Sequence, residues 1–320
     1  MRGTLFLSDG IEASWGAALD AAAPGFTRVV SSPGASEPDY SSIEVLYFSG
    51  DVFPERSREF AVAALKSENL RWMHTFSAGV DDAFFRTLIE RGVRLTTSSG
   101  AQAEPIAQTA ILYLLALSRD LPGWLEDQRN RHWNPRSVRD LQGLRLGVVG
   151  LGPIGEAVAR LGAALGMGVT GFRRRPRGDE PWDTRAMAEL PGLLPELDAL
   201  VVAVPLTKAT RNLMDEAAFA RLKPGALFVN VARGEVVDED ALIASLRSGR
   251  LAGAGLDVFR QEPLPEESPL WAMPNVLITP HSSGTSPGNQ VRASRIFIEN
   301  LRAYLRGEPL RNEVGSEGVR

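Results

Sequence analysis

The stretch "LRLGVVGLGPIGEAVARLGAALGMGVTGFRRRP", Leu144 to Pro176, constrains this chain more than any other. An apolar run ends in Gly150-Leu151-Gly152-Pro153-Ile154-Gly155. Ile154, Ala157, Val158, Leu161 and Leu165 then keep helical spacing up to a second apolar run, Val169 to Phe172. Strand, glycine turn, helix and strand are in register, the pattern of a parallel sheet whose first turn binds a dinucleotide. In those mechanics Gly150 makes the tight turn, Gly152 lets backbone N–H groups approach a pyrophosphate, and Gly155 lets helix and strand pack closely. The candidate pyrophosphate residues are Gly150, Gly152, Pro153, Ile154 and Gly155.

One expected part is missing. An NAD site carries an Asp or Glu at the end of the second strand to accept hydrogen bonds from the adenosine ribose hydroxyls, and this chain has Arg173, followed by Arg174 and Arg175. An arginine cannot accept, but its planar fork of donors pairs with a 2′-phosphate. The position predicts NADP as cofactor, with NAD as the alternative, and Arg173 and Arg174 as the residues that select it. A solvated basic loop is the plainer reading of the same residues.

The rest of the chain supports an α/β fold. "TLFLSD", "VLYFSG", "RWMHTF" and "VRLTTS" in the first hundred residues read as strands, with helical patterns such as Arg56 to Leu65 between them. Ala103 to Leu117 is a helix apolar nearly all round, which predicts burial between domains or subunits. From Leu144 onward "LRLGVVG", "GVTGF", "DALVVAVP", "GALFVNVA", "LAGAGLDV" and "NVLITPH" give six strand candidates of a doubly wound parallel sheet covered on both faces. Gln290 to Leu305 reads as a helix returning to the first domain, and "GEPLRNEVGSEGVR" as a frayed tail.

With 320 residues the length favours two domains. A net charge of -4 argues against nucleic-acid binding. No apolar run is long enough for a membrane span, and the first residues do not resemble a signal peptide. The absence of cysteine removes disulfides and thiolate chemistry, and three scattered histidines, His74, His132 and His281, offer no metal site. A cytoplasmic protein acting on a small molecule is the expectation.

Polar residues recur where strands of the second sheet end. They are Arg233 in "VNVARGEVVDEDAL", Asp257 and Glu262 in "GAGLDVFRQEPLP", and His281 in "VLITPHSSG". Ligands of open α/β sheets bind outside the carboxyl ends of the strands. Singly, each residue has a dull explanation as a surface ion pair, a solvated acid or a core histidine. Together they supply what carbonyl reduction by a nicotinamide needs: a cation to grip a carboxylate and polarise the carbonyl, an acid near neutrality, and a carboxylate that favours its imidazolium form. The residues thus point to a reductase or dehydrogenase of a small 2-oxo or 2-hydroxy acid.

The ordered blocks "GLGPIG", "VPLTKATRNLMD", "LKPGALFVNVARGEVVDEDAL", "GLDVFRQEPLP" and "PLWAMPNVLITPHSSG" resemble the D-isomer-specific 2-hydroxyacid dehydrogenases over essentially the whole chain, in a glyoxylate/hydroxypyruvate reductase-like, NADP-type form. The resemblance implies a Rossmann nucleotide domain, 101–285, inserted into a flavodoxin-like substrate domain, 1–100 and 286–320, with the active site in the cleft between them and a homodimer built through the nucleotide domain. Arg233 would bind the substrate's carboxylate and carbonyl, His281 would be the acid/base, and Glu262 would orient it. Asp257 would hold the nicotinamide carboxamide. Val204, Pro205, Thr210, Ala232, Ser283 and Gly284 would also line the nucleotide, and the N–H groups of Ala78 and Gly79 in "FSAGVDD" would meet the substrate carboxylate. Gln108 and Pro153 stand where many relatives have Glu and Arg. The alternatives are a relative using NAD, phosphoglycerate, formate or phosphite, or a nucleotide-sensing binding protein like the family's corepressors. Trp133 and Trp271 are expected to be packing residues, and His74 a structural residue at a strand end.

Overall fold

The computed structural model describes residues 3–80 and 82–315, and the chain divides into two compact units. The first comprises Met1–Gln102 and Ser286–Arg320, the second Ala103–Thr285.

The first unit is a five-stranded parallel sheet of β1 (Thr4–Ser8), β2 (Thr27–Ser31), β3 (Val45–Phe48), β4 (Trp72–Thr75) and β5 (Arg94–Thr97), in the order β2-β1-β3-β4-β5. This is the flavodoxin-like order. Helices α1 (Asp9–Ala22), α2 (Ser57–Lys66) and α3 (Ala83–Glu90) come from the connections, and the C-terminal helix Gly288–Arg306 joins them. Successive strand residues point to opposite faces, and both faces are covered. Phe6, Leu46, Phe48 and Met73 pack with Phe60 and Leu88 on one side. Leu5, Leu7, Tyr47 and Trp72 pack with Phe297 and Leu301 on the other. Two-sided burial is why β1 and β3 read as continuous apolar runs. Ser8 starts α1 by accepting the Ile11 N–H at 3.1 Å, and Asp82 starts α3 by accepting that of Phe84 at 2.8 Å.

The second unit begins with α4 (Ala103–Ser118) and α5 (Leu121–Asn130). Its sheet contains β6 (Arg145–Val149), β7 (Gly168–Arg173), β8 (Asp183–Ala186), β9 (Ala199–Val202), β10 (Ala226–Asn230), β11 (Leu251–Leu256) and β12 (Val276–Ile278). All are parallel, in the order β12-β11-β10-β9-β6-β7-β8. This is the doubly wound nucleotide-binding order with one strand added beyond the sixth. Between the strands lie α6 (Pro153–Ala164), α7 (Leu190–Leu193), α8 (Glu216–Arg221) and α9 (Glu239–Arg247). The strand order reverses between β6 and β9, which opens a crevice beside the glycine turn.

Three expectations need correction. Two strands escape the sequence reading, β2 and β8, both at sheet edges and both carrying exposed residues. The tail does not fray as far as it is described. Leu310 is buried, the Thr97 N–H donates to the Asn312 carbonyl at 3.1 Å, the Val314 N–H donates to Leu95 at 2.8 Å, and Arg94 pairs with Glu313. Within this single chain α4 buries Ile106, Ala107, Ala110, Ile111, Tyr113, Leu114 and Ala116, while Leu112 is 56% exposed and Leu115 37%. Trp133, expected to pack, is 96% exposed, because it sits in the segment after α5 that has neither helix nor strand. Trp271 is also exposed, with its Nε1–H donating to the Pro265 carbonyl at 3.0 Å.

Candidate active site

The glycine turn has the geometry its sequence requires. Gly150 has φ +99°, a left-handed conformation that an L side chain resists, and its N–H donates to the Phe172 carbonyl at 2.8 Å. A Cβ on Gly155 would lie 1.8 Å from the Gly150 carbonyl oxygen, so α6 can sit against the turn only through a glycine. A Cβ on Gly152 would meet nothing within 4 Å. Gly152 is the N-cap of α6 and carries no side-chain cap, with Pro153 in the first turn. A twelve-residue helix thus presents its positive end to open space, which fits a dinucleotide pyrophosphate.

Across the crevice, β9 leads into Val204, Pro205 and a tight loop. Thr210 Oγ1 donates to the Pro205 carbonyl at 2.7 Å and accepts the Thr207 N–H at 2.8 Å, which folds the loop back over itself. On the other side Arg173 is the last residue of β7, one residue beyond the carbonyl that receives Gly150. Its Nη1 donates to Glu180 Oε1 at 3.0 Å. Glu180 also accepts the N–H groups of Arg177 at 3.0 Å and Gly178 at 2.8 Å. These bonds, the Arg177 amide foremost, pull the Glu180 carboxyl down to about 2. Arg177 Nη2 reaches Glu156 in the first turn of α6 at 2.8 Å. Arg174 and Arg175 are exposed.

The reacting end is assembled by three neighbouring parallel strands, β10, β11 and β12, whose carboxyl ends lie side by side. After β10 comes Arg233. Asn230 is buried and brackets it, accepting the Ala232 N–H at 3.0 Å and donating Nδ2–H to the Arg233 carbonyl at 3.1 Å. After β11 come Asp257 and Glu262. The Asp257 carboxylate accepts the Ser282 and Ser283 N–H groups at 2.9 and 3.0 Å and the hydroxyls of Thr279 and Ser283. It thereby ties down the segment after β12 that carries His281, whose own N–H donates to the Asp257 carbonyl at 2.8 Å.

His281 lies in a left-handed conformation, φ 51°, which few L side chains adopt. Its Nδ1 is 2.7 Å from Glu262 Oε2, and Glu262 Oε1 accepts the Phe259 N–H at 3.0 Å. A carboxylate at Nδ1 fixes the proton there and leaves Nε2 for a ligand. The two side chains are 47% and 36% exposed, so the dyad can be reached from outside. Phe259, Glu262, Pro263, Leu264, Trp271 and His281 border an apolar recess beside it. The structure therefore brings Arg233, Asp257, Glu262 and His281 to adjacent strand ends, with the imidazole and carboxylate already paired. A paired imidazole and carboxylate of this kind can hold and give up a proton at Nε2.

Sequence and structure comparisons agree with that chemistry. The family profile described as "D-isomer specific 2-hydroxyacid dehydrogenase, NAD binding domain" matches residues 111–283, more than half the chain. The chain belongs to the D-isomer specific 2-hydroxyacid dehydrogenase family. Among its relatives, the human glyoxylate reductase/hydroxypyruvate reductase is 35% identical over 77% of this chain and 77% of its own length. Glyoxylate/hydroxypyruvate reductase B of Escherichia fergusonii is 35% identical over 79% of this chain and 80% of its own. The D-isomer specific 2-hydroxyacid dehydrogenase of Xanthobacter autotrophicus Py2, solved with NADPH and MES, superposes with a TM-score of 0.79 at 35% identity and covers 98% of both chains. The NADPH-dependent glyoxylate/hydroxypyruvate reductase of Sinorhizobium meliloti, solved with NADP and sulfate, gives 0.79 at 28% identity over 99% of both.

In this dehydrogenase the "FSAGVDD" loop follows β4 in the first unit. Ser77 Oγ donates to the Gly79 carbonyl at 2.8 Å and lies 3.1 Å from Thr75 Oγ1, shaping the turn that carries Ala78 and Gly79. Asp81 lies outside the described residues. His74 is wholly buried in β4, between Thr96 Oγ1 at 2.7 Å and Ser98 Oγ at 3.0 Å. Burial alone pushes its pKa down to about 3, which marks it as a neutral structural residue. Among the described residues no group of three or more His, Asp or Glu side chains is placed to hold a metal, and no helix is long and apolar enough to cross a membrane. Sequence reasoning missed three residues of the site: Asn230, Thr279 and Glu180. Asn230 at the end of "ALFVN" carried a signal, since a buried asparagine needs partners on both sides of its amide.

Proposed function

We propose that the protein reduces small 2-oxo acids, glyoxylate and hydroxypyruvate among them, to D-2-hydroxy acids. The observation that carries this reading is the 2.7 Å pair of His281 and Glu262 at a strand end next to that of Arg233. Bound NADPH supplies the hydride that adds to the carbonyl carbon. Arg233 grips the substrate carboxylate and polarises the carbonyl. His281, as imidazolium, gives the Nε2 proton to the carbonyl oxygen as it becomes a hydroxyl, and Glu262 holds the Nδ1–H through the transfer. The N–H groups of Ala78 and Gly79 add donors for the substrate carboxylate.

The glycine turn, with Pro153 and Ile154, takes the pyrophosphate. Val204, Pro205, Thr210, Ala232, Ser283 and Gly284 line the rest of the nucleotide, and Asp257 meets the carboxamide. Arg173 and Arg174 face the 2′-phosphate. Relatives named for glyoxylate and hydroxypyruvate reduction, and structural neighbours holding NADPH or NADP, support substrate and cofactor alike. The reading includes a homodimer, supported by the exposed Leu112, Leu115, Leu121, Trp124 and Leu125 on α4 and α5, and a cytoplasmic location, in line with a chain that has no cysteine.

Steady-state kinetics over a panel of 2-oxo acids with NADPH and NADH tests it. Turnover of glyoxylate or hydroxypyruvate with a higher kcat/KM for NADPH is expected. No turnover across the panel would overturn the activity, and a preference for NADH would overturn the choice of cofactor.

A further inference from the structure

Four arginines stand within five positions from the last residue of β7, at Arg173, Arg174, Arg175 and Arg177. Left to themselves such charges repel and spread the loop. One carboxylate holds two of them, Arg173 and Arg177. Glu180 has a side chain only 3% exposed, and both of its oxygens are used: Oε1 takes Arg173 Nη1 and the Arg177 N–H, and Oε2 takes the Gly178 N–H. Because it accepts from donors on both sides of the turn, the whole segment 173–180 closes around it. Arg177 then ties the closed loop to Glu156 on α6, so the arginines are registered against the helix that faces the pyrophosphate.

We infer that Glu180 is a positioning residue for cofactor choice: it holds Arg173 and its loop in the one shape that receives the 2′-phosphate of NADPH. The inference rests on the NADP reading above. The pairing uses Nη1 of Arg173 and leaves Nε and Nη2 uncommitted among the described residues, so part of the fork remains for the phosphate. Two effects oppose each other here. The negative charge of Glu180 weakens the local positive field, whereas its bonds remove the entropy cost of ordering a long arginine side chain on binding. The charge is already matched by three donors, while an unheld arginine loses rotamer freedom with every phosphate bond it makes. Ordering therefore decides, and losing the acid weakens NADPH.

A rival role is written in the same geometry. A carboxylate beside the end of β7 can accept ribose hydroxyls, the part that NAD sites place at Arg173 itself. The two roles differ in sign. If Glu180 positions Arg173, its removal harms NADPH and spares NADH. If it binds ribose, removal harms NADH at least as much.

Direct titration of the purified enzyme and of Glu180→Gln with NADPH and with NADH, followed by protein fluorescence, separates them. Glu180→Gln is expected to raise the NADPH Kd about tenfold, the loss of one charge-assisted hydrogen bond, and to leave the NADH Kd within about twofold. Glu180→Ala should do the same to a greater degree. Trypsin should also nick the chain after Arg174 or Arg177 faster in both variants, a readout of the loosened loop that needs no cofactor. Equal weakening of both nucleotides, selective loss of NADH, or an unchanged NADPH Kd would each overturn the inference. If the unsubstituted enzyme itself fails to bind NADPH more tightly than NADH, the cofactor reading has failed first, and the two failures are thereby told apart.

Discussion

A Cβ placed on Gly234 would lie 1.9 Å from the carbonyl oxygen of Phe259, so the turn after β10 rests directly on the turn after β11. The contact is backbone against backbone, with no flexible side chain to give way. Phe259 in turn donates its N–H to Glu262, and Glu262 holds His281. Gly234→Ala is expected to push Phe259 back and loosen that chain of contacts. The variant should lose about 1–3 kcal/mol of stability, the usual cost of overpacking, and kcat should fall with it. A variant with the parent's Tm and kcat would show that the turns are free to separate.

The proton role of His281 predicts a split between binding and chemistry. His281→Gln should keep the Kd for NADPH and lose about 10²- to 10⁴-fold in kcat, the range for a positioned acid. Glu262→Gln should lose less, because the ring keeps an acceptor of weaker polarity at Nδ1. Stopped-flow reduction of glyoxylate with saturating NADPH measures both. A His281→Gln enzyme within a few-fold of the parent would remove His281 from the reaction.

Arg173→Asp removes a cation and adds a like charge beside the expected 2′-phosphate. It should raise KM for NADPH sharply while changing KM for NADH little, a loss by repulsion as well as by lost attraction. Raising ionic strength should narrow the gap between parent and variant, since salt screens charges at this half-buried end of the strand. Equal effects on both nucleotides would detach Arg173 from cofactor choice.

His74 makes a prediction about acid. Its folded pKa of about 3 lies below the ordinary histidine value of 6.5, so the unfolded chain binds a proton that the folded chain refuses. Stability from the neutral ring is fully present above pH 6.5 and is lost as pH falls toward 3, by about 1.4 kcal/mol per pH unit for one proton. Urea unfolding of the parent and of His74→Gln between pH 7.5 and 4.5 should show a shallower acid decline in the variant. Parallel declines would mean that His74 does not drive it.

The sequence disclosed the fold wherever burial leaves a periodic mark. Strands β3, β6, β9 and β10 are covered on both faces and appear as apolar runs, and the polar residues that follow β10, β11 and β12 stand out because the runs stop there. Edge strands leave no such mark. Thr27–Ser31 and Asp183–Ala186 each have a single neighbour and half-exposed side chains, so nothing in "TRVVS" or "DTRA" demands a strand. Asn312 is held through main-chain and amide bonds to β5, a kind of pairing that has no sequence period, and Leu310 is buried beside Phe297 and Leu301 by the same return of the chain.

Of the candidate site, the glycine turn, Arg173, Asp257, Glu262 and His281 were visible one by one. Their joining through Asn230, Thr279 and Glu180 was not. Those three act on backbone groups or on neighbours brought close only by folding, and Glu180 reaches back seven positions through the amides of its own loop.

The first unit is built from both ends of the chain. Phe297 stacks on Tyr47 with ring centroids 4.2 Å apart and on Trp72 at 5.4 Å, closing one face of its sheet with a helix encoded after the whole of the second unit. A ribosome adding ~5–20 residues per second needs about ten seconds or more to make the intervening Ala103–Thr285 segment. Throughout that interval the face of β3 and β4 that carries Tyr47 and Trp72 lacks Phe297 and Leu301 and has only α1 beside it. The nascent chain therefore carries a sticky, half-built sheet while its nucleotide domain is already free to fold, and the helix Gly288–Arg306 is the one that ends the exposure.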